Sequence, residues 1–182
     1  MTFPDKKFLN IKEYTKDYFN KHSEAAASLD VAKLEQAAAL LLKAYQSKNT
    51  LYVCGNGGSA SISNHLACDH GKLVATDTKL CPRIHSLASN VEVLTAIAND
   101  ISYDEVFVNQ LKLLADVGDV VMTVSSSGDS ENIVRVAKWA RDFGLDVISL
   151  TGFSGGRSAK IATVNIHVEA DIGDKRLPDV VA

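Results

Sequence analysis

The chain is short of cysteine, proline and net charge, and it has no long apolar run. Its 182 residues include three cysteines, Cys54, Cys68 and Cys81, with no pair at CxxC spacing. An odd, scattered set makes neither a disulfide framework nor a zinc ribbon, and it points to a reducing compartment. The three prolines, Pro4, Pro82 and Pro178, leave the periodic segments uninterrupted. Nineteen basic residues against 22 acidic ones give a net charge of −3, which argues against a general nucleic-acid binder. No stretch approaches the roughly 18 consecutive apolar residues of a membrane span. The opening MTFPDKKFLN lacks the apolar core of a signal peptide. The expectation is a cytoplasmic protein with no membrane and no nucleic acid as partner. Internal repeats, low-complexity tracts and evident linkers are also missing.

What is present is a globular composition, 46% hydrophobic and 23% charged. That supports one ordinary core. The chain reads as a single domain over 1–182: a helical pair (1–48), an α/β core (49–170) and a short tail (171–182). Within 5–29, Phe8, Ile11, Tyr14, Tyr18 and Ala25 recur at helical spacing. Asp30 suits the N-cap of a second helix carrying Val31, Leu34, Ala38, Leu41 and Tyr45 on one side. Five short apolar runs follow, at 50–56, 83–89, 119–128, 146–152 and 164–170. Helical patterns at 59–72, 91–98, 104–115 and 130–143 separate them. Strands alternating with helices imply βαβ units and a parallel sheet. The expected fold is three-layer α/β/α with a five-stranded parallel flavodoxin-like sheet, order 2-1-3-4-5, preceded by two N-terminal helices.

In such a sheet the ligand sits beyond the carboxyl ends of the strands. Strand one ends in Gly55-Asn56-Gly57-Gly58-Ser59. Its glycines let backbone N–H groups approach an anion at a helix N-terminus. Gly55, Gly57 and Ala60 also fit a relaxed dinucleotide fingerprint, but the second strand ends in serine where a ribose-binding carboxylate belongs. A nucleotide P-loop is excluded, because no Gly-Lys-Ser/Thr follows. A plain strand-to-helix turn stays open. The loop after strand three, Ser125-Ser126-Ser127-Gly128-Asp129-Ser130, gathers four hydroxyls, and hydroxyls with backbone N–H groups bind phosphate without a lysine. A helix N-cap would account for Ser130 alone, not for the other three serines. The loops after strands one and three would flank one crevice, one holding phosphate and the other sugar hydroxyls. Four residues apart on the helix after the glycine loop, His65 and Asp69 share a face. They suit two ligands of a metal, a proton-transfer pair, or a solvated polar pair.

CGNGGSA, LTAIANDISYDEVF (94–107), SSSGDSENI and LTGFSGG, in that order, resemble the sugar isomerase (SIS) domain, and most narrowly the phosphoheptose isomerases. The resemblance covers roughly residues 10–170. It implies a homotetramer, commonly with zinc, that interconverts a keto- and an aldoheptose 7-phosphate. It places the phosphate on Ser125, Ser126, Ser127 and Ser130, the glycine loop on Asn56, Gly57, Gly58 and Ser59, and sugar contacts on Asn99 and Asp100. His65 falls on a metal-ligand position. Asp69 falls on that of the catalytic base, a glutamate in the family that also approaches the metal. His70 and Asp129 are the lesser candidates for the base.

The chain departs from the family in two places. The base is one methylene shorter, in a step that depends on sub-ångström placement. The ending, DIGDKRLPDVVA, has no histidine or glutamine after His167. The family's last helix, which brings both residue types to the site, is therefore not expected, nor are its two zinc ligands. His167 reads as a strand residue, not a substitute, and apolar surface should open on one sheet face. Beside the isomerase stands a second reading: a non-catalytic SIS protein that binds a sugar phosphate or a partner, as in the type that associates with the bacterial replication initiator.

Overall fold

The structure, a computed structural model, describes residues 2–4 and 6–172. Strand β1 (Thr2–Phe3) precedes the helices α1 (Ile11–Ala27) and α2 (Val31–Gln46). The core then runs β2 (Thr50–Gly55), α3 (Gly58–Asp69), a π-helical turn (His70–Val74), α4 (Ala75–Asp77), β3 (Arg83–Ser86) and α5 (Val91–Asp100). A 3-10 turn (Tyr103–Glu105), α6 (Val108–Leu114), β4 (Val120–Ser125), α7 (Glu131–Asp142), β5 (Asp146–Thr151), α8 (Gly156–Ile161), β6 (Val164–His167) and β7 (Asp171–Ile172) complete it.

The main sheet is all-parallel, in the order β3-β2-β4-β5-β6. Counted from β2, that is the expected 2-1-3-4-5. The reversal of strand order falls between β2 and β4, so the glycine loop and the serine loop leave neighbouring strands at one sheet end. Alternation splits the core. Leu51, Val53, Val120, Met122, Val124 and Ile148 face Ala37, Ala44 and Tyr45 of α2. Tyr52, Cys54, Val121 and Val147 face Leu111 of α6 and Ile133, Val136, Ala137 and Ala140 of α7. Fully burying such a side chain contributes roughly 1.5–3 kcal/mol, so both faces hold the sheet flat against its helices.

Several expected boundaries move, each for a local reason. The first helix starts at Ile11, not residue 5, because extended Asn10 (φ −159°) accepts from the Glu13 N–H at 3.0 Å as an N-cap. Asp30 caps α2 as expected, accepting from the Ala32 N–H at 2.9 Å. The helix expected over 104–115 begins at Val108, after the 3-10 turn, since Ser102 is extended (φ −173°). The helix expected over 59–72 passes into the π-helical turn at His70. The short helices α4 and α8 and the parallel β1–β7 pair were not expected. The tail assigned to 171–182 lies outside the described residues from 173 onward.

Candidate active site

Gly55 ends β2 under tight constraint. A Cβ there would lie 2.6 Å from the Ser59 Cβ, so only glycine lets the chain turn into α3. Asn56 follows, and its amide is held on both sides. Its Nδ2 donates to Asn132 Oδ1 at 2.9 Å, and its Oδ1 accepts from Asn132 Nδ2 at 3.0 Å and from the Tyr103 hydroxyl at 3.0 Å. Gly57 and Gly58 then open α3, with Ser59 in its first turn.

The serine loop faces this turn. The Gly128 N–H donates to the Ser125 carbonyl at 3.1 Å and to Ser125 Oγ at 3.2 Å, closing a tight turn. Gly128 has φ +66°, and a Cβ on it would run into the Gly155 carbonyl, so this position also requires glycine. Ser127 Oγ accepts from the Asp129 N–H at 3.3 Å. Ser130 occupies the N-cap position of α7, yet its side chain makes no capping bond. Among the described residues, the hydroxyls of Ser59, Ser126 and Ser130 form no hydrogen bond. They converge on a cleft of about 200 Å³ lined by Asn56, Ser59, Ser125, Ser126, Ser127 and Ser130, with Val124 and Phe153. Among the described residues, no lysine or arginine lines it.

Three residues that frame the cleft were not singled out from the sequence. Asn132, 2% exposed, lies within the SSSGDSENI motif and grips Asn56. Tyr103 lies within LTAIANDISYDEVF and reaches Asn56 from the other side. Arg157, on α8, has no motif at all. Its backbone N–H and Nε donate to Asp129 Oδ1 at 2.9 and 3.1 Å, Nη2 donates to the Asp129 carbonyl at 2.8 Å, and Nη1 donates to Glu131 Oε2 at 2.9 Å. Arg135 holds Glu131 from the other side, with Nε to Oε1 at 3.0 Å, and ties Glu105 at 2.7 Å. The first turn of α7 thus anchors the glycine loop, the 3-10 turn and α8 together.

His65 and Asp69 lie outside the cleft lining. They form a pair, Nε2 to Oδ2 at 3.2 Å, with side chains 78% and 41% exposed. Helical geometry puts them about 9 and 15 Å along the axis from Ser59, with side chains leaning back toward it. At 100° per residue, Ser59, Ile62, His65 and Asp69 fall within about a third of the helix circumference. His70 is otherwise engaged: Nδ1 meets the Tyr45 hydroxyl at 2.6 Å. Burial lowers the His70 pKa against the opposing pull of Asp69, and burial pushes the Tyr45 phenol up to about 12, so tyrosine keeps its proton. Asp129 is committed to Arg157. Asn99 and Asp100, at the end of α5, bond to each other at 2.7 Å and also lie outside the cleft lining.

His65 and Asp69 provide two metal donors. Among the described residues no group of three or more His, Cys, Asp or Glu side chains could hold a metal ion, so these residues alone do not make a four-coordinate zinc site. His167 is a strand residue, as expected: Nδ1 lies 3.0 Å from Thr151 Oγ1 inside the β5–β6 pair. A groove of about 220 Å³ is bordered by Ile62, Val124, Leu150, Ile166 and Val168. It adjoins the cleft, since Ser59, Val124 and Ser126 line both.

Residues 13–152 match the model of the SIS domain. The chain belongs to the SIS domain family. It is 35% identical over 156 residues to the "Probable phosphoheptose isomerase" of Thermoplasma volcanium, 86% of this chain and 79% of that one. It is 36% identical over 138 residues to the phosphoheptose isomerase of Aliarcobacter butzleri, 76% and 72% of the two chains. In three dimensions it is similar to the phosphoheptose isomerase of Neisseria gonorrhoeae, with a TM-score of 0.77, 32% identity and 87% of each chain covered. This kinship makes the SIS chain an isomerase. Among the described residues, no helix is long and apolar enough to cross a membrane.

Proposed function

We propose that this phosphosugar isomerase interconverts sedoheptulose 7-phosphate and an aldoheptose 7-phosphate through an enediol. The observation that carries the reading is the convergence of the free Ser59, Ser126 and Ser130 hydroxyls on one cleft, at the N-termini of α3 and α7. Hydroxyls and helix N-termini hold a phosphate dianion without a cationic side chain. The phosphate binds there, with Ser125, Ser127, Gly57 and Gly58 shaping the loops and Asn56 presenting a fixed amide. The sugar extends along α3 toward His65 and Asp69, with Asn99 and Asp100 on its flank.

Asp69 is the base. It takes the C1 proton of the ketose while the C2 carbonyl oxygen gains a proton, giving the enediol. Proton return to C2, with loss of the O1 proton, yields the aldose. His65, hydrogen-bonded to Asp69, carries the proton between O1 and O2. Zinc bound at His65 and Asp69 would need donors from outside the described residues, and no step is assigned to it. Self-association as a homotetramer belongs to the same reading. It is supported by α1, which has 17 residues and buries none of them in the described chain.

The test is turnover of sedoheptulose 7-phosphate with and without added zinc. Asp69→Asn should lower kcat by about 10²–10⁴-fold with little change in KM, the scale of a lost general base. Asp69→Glu should keep activity. Wild-type binding of the sugar phosphate without turnover would assign the chain to the sugar-phosphate-binding SIS proteins instead.

A further inference from the structure

The serine loop carries its own electrostatic problem. Asp129 lies within it and Glu131 directly after it, beside a cleft that has no cationic lining residue among the described residues. Neither carboxylate lines the cleft, but both are sequence neighbours of Ser130, which does, so a phosphate dianion bound there lies in their field. Like charges at short range oppose binding wherever water does not fully screen them.

Arg157 bonds to both carboxylates. It takes Asp129 through its backbone N–H and Nε, and Glu131 through Nη1. Its Nη2 also holds the Asp129 carbonyl, and the next N–H, of Ser158, holds the Gly128 carbonyl at 2.9 Å. The other cations nearby are less free to screen. Arg135 bonds to Glu131 but also pairs with Asp104 and Glu105, and Lys112 pairs with Glu105. Lys160 acts on Asp129 only through space.

We propose that Arg157 is a positioning residue for substrate phosphate: it cancels the field of Asp129 and Glu131 at the serine loop and fixes the loop's turn, without touching the ligand. This rests on the phosphosugar isomerase reading and names a residue that acts on its phosphate end. The effect belongs to binding, because the phosphate carries the same charge in substrate and transition state.

The experiment is a kinetic series with sedoheptulose 7-phosphate at low and high ionic strength, about 0.02 and about 0.5 M. Arg157→Gln should raise KM about fivefold at low salt, the scale of an exposed charge pair, and leave kcat within about twofold. The rise should shrink at high salt. Adding Glu131→Gln to that variant should restore most of the lost affinity, and Arg157→Lys should lose less than Arg157→Gln. Glu131→Gln on the wild-type background should lower KM, and it decides the matter should Arg157→Gln not fold. A KM unmoved by Arg157→Gln overturns the inference, and so does a rise that persists at high salt and is not relieved by Glu131→Gln. A wild type that binds sedoheptulose 7-phosphate without turning it over is read by calorimetry on the same series. A wild type that binds neither that sugar phosphate nor inorganic phosphate overturns the phosphate site itself. An Arg157→Gln protein with altered kcat and intact binding overturns the inference as well.

Discussion

Asn56 and Asn132 hold each other through two reciprocal amide hydrogen bonds, 2.9 and 3.0 Å long, across 76 residues of sequence. The pair welds the glycine loop to the first turn of α7. It turns two loops that leave separate strands into one rigid wall of the cleft, with the Tyr103 hydroxyl closing the third side at 3.0 Å. A pair of this kind, with Asn132 buried and Asn56 half-buried, is costly to break on one side only.

Asn132→Ala should therefore destabilise the protein by about 1–3 kcal/mol, because it leaves the Asn56 Nδ2 without its acceptor, while Oδ1 keeps the Tyr103 hydroxyl. The double variant Asn56→Ala/Asn132→Ala should cost less than the sum of the two single changes, by about 0.5–3 kcal/mol. Denaturant unfolding of the four proteins measures this. Strict additivity would mean that the two amides do not act as a unit.

The serines should separate by role. Ser126→Ala/Ser130→Ala removes two hydroxyls with no bond among the described residues. It should weaken sugar-phosphate affinity by about 10²–10⁴-fold, since hydrogen bonds to a charged group each contribute about 1.5–3 kcal/mol. Its melting temperature should stay at the wild-type value. Ser125→Ala should act the other way. Ser125 is 7% exposed and its hydroxyl accepts from the Gly128 N–H, so the change should loosen the turn and lower the melting temperature. Calorimetric titration beside thermal melts distinguishes them, and an unchanged affinity in the double variant would remove the serine loop from the phosphate site.

Acid sensitivity should trace the Arg157 contacts. The Arg157 backbone N–H and guanidinium hold the Asp129 carboxyl below the usual carboxylate range; Arg135 and then Arg157 do so for Glu131. A depressed folded pKa gives stability that is present above the unfolded value, near 4, and is lost as pH falls through the folded value. Both groups are exposed, so the contribution is small. Thermal melts from about pH 7 to about pH 3 should show a shallower decline below about pH 4 for Arg157→Gln than for the wild type. Parallel curves would show that Arg157 does not hold these carboxyls.

Much of the fold was legible in the residues. Val120, Val121 and Met122 read as a buried strand because helices cover both faces of the sheet, leaving no polar alternation. Asp30 before an apolar periodic run marked a helix start, since a cap needs only local chemistry. The candidate site was legible in its loops for the same reason: Gly55 and Gly128 meet backbone constraints that no other residue satisfies. The start of the first helix was harder, because the apolar spacing continued upstream past the point where the Asn10 cap stops the helix. Tyr103 and Asn132 stood inside motifs that had been noticed. Nothing near them in sequence showed that their partner was Asn56.

By itself, then, the sequence determined what short-range physics controls: the alternation of strands and helices, the glycine turns, the hydroxyl-rich loop, and the shared face of His65 and Asp69. Tertiary structure decided which of these meet. It joined Asn56 to Asn132 and set Arg157, 28 residues from Asp129, against the serine loop. It also released the Ser130 hydroxyl from the capping role its position suggests. The division has a physical cause. Backbone propensity and burial period act within a few residues, whereas a hydrogen bond across 76 residues exists only once packing has fixed both ends.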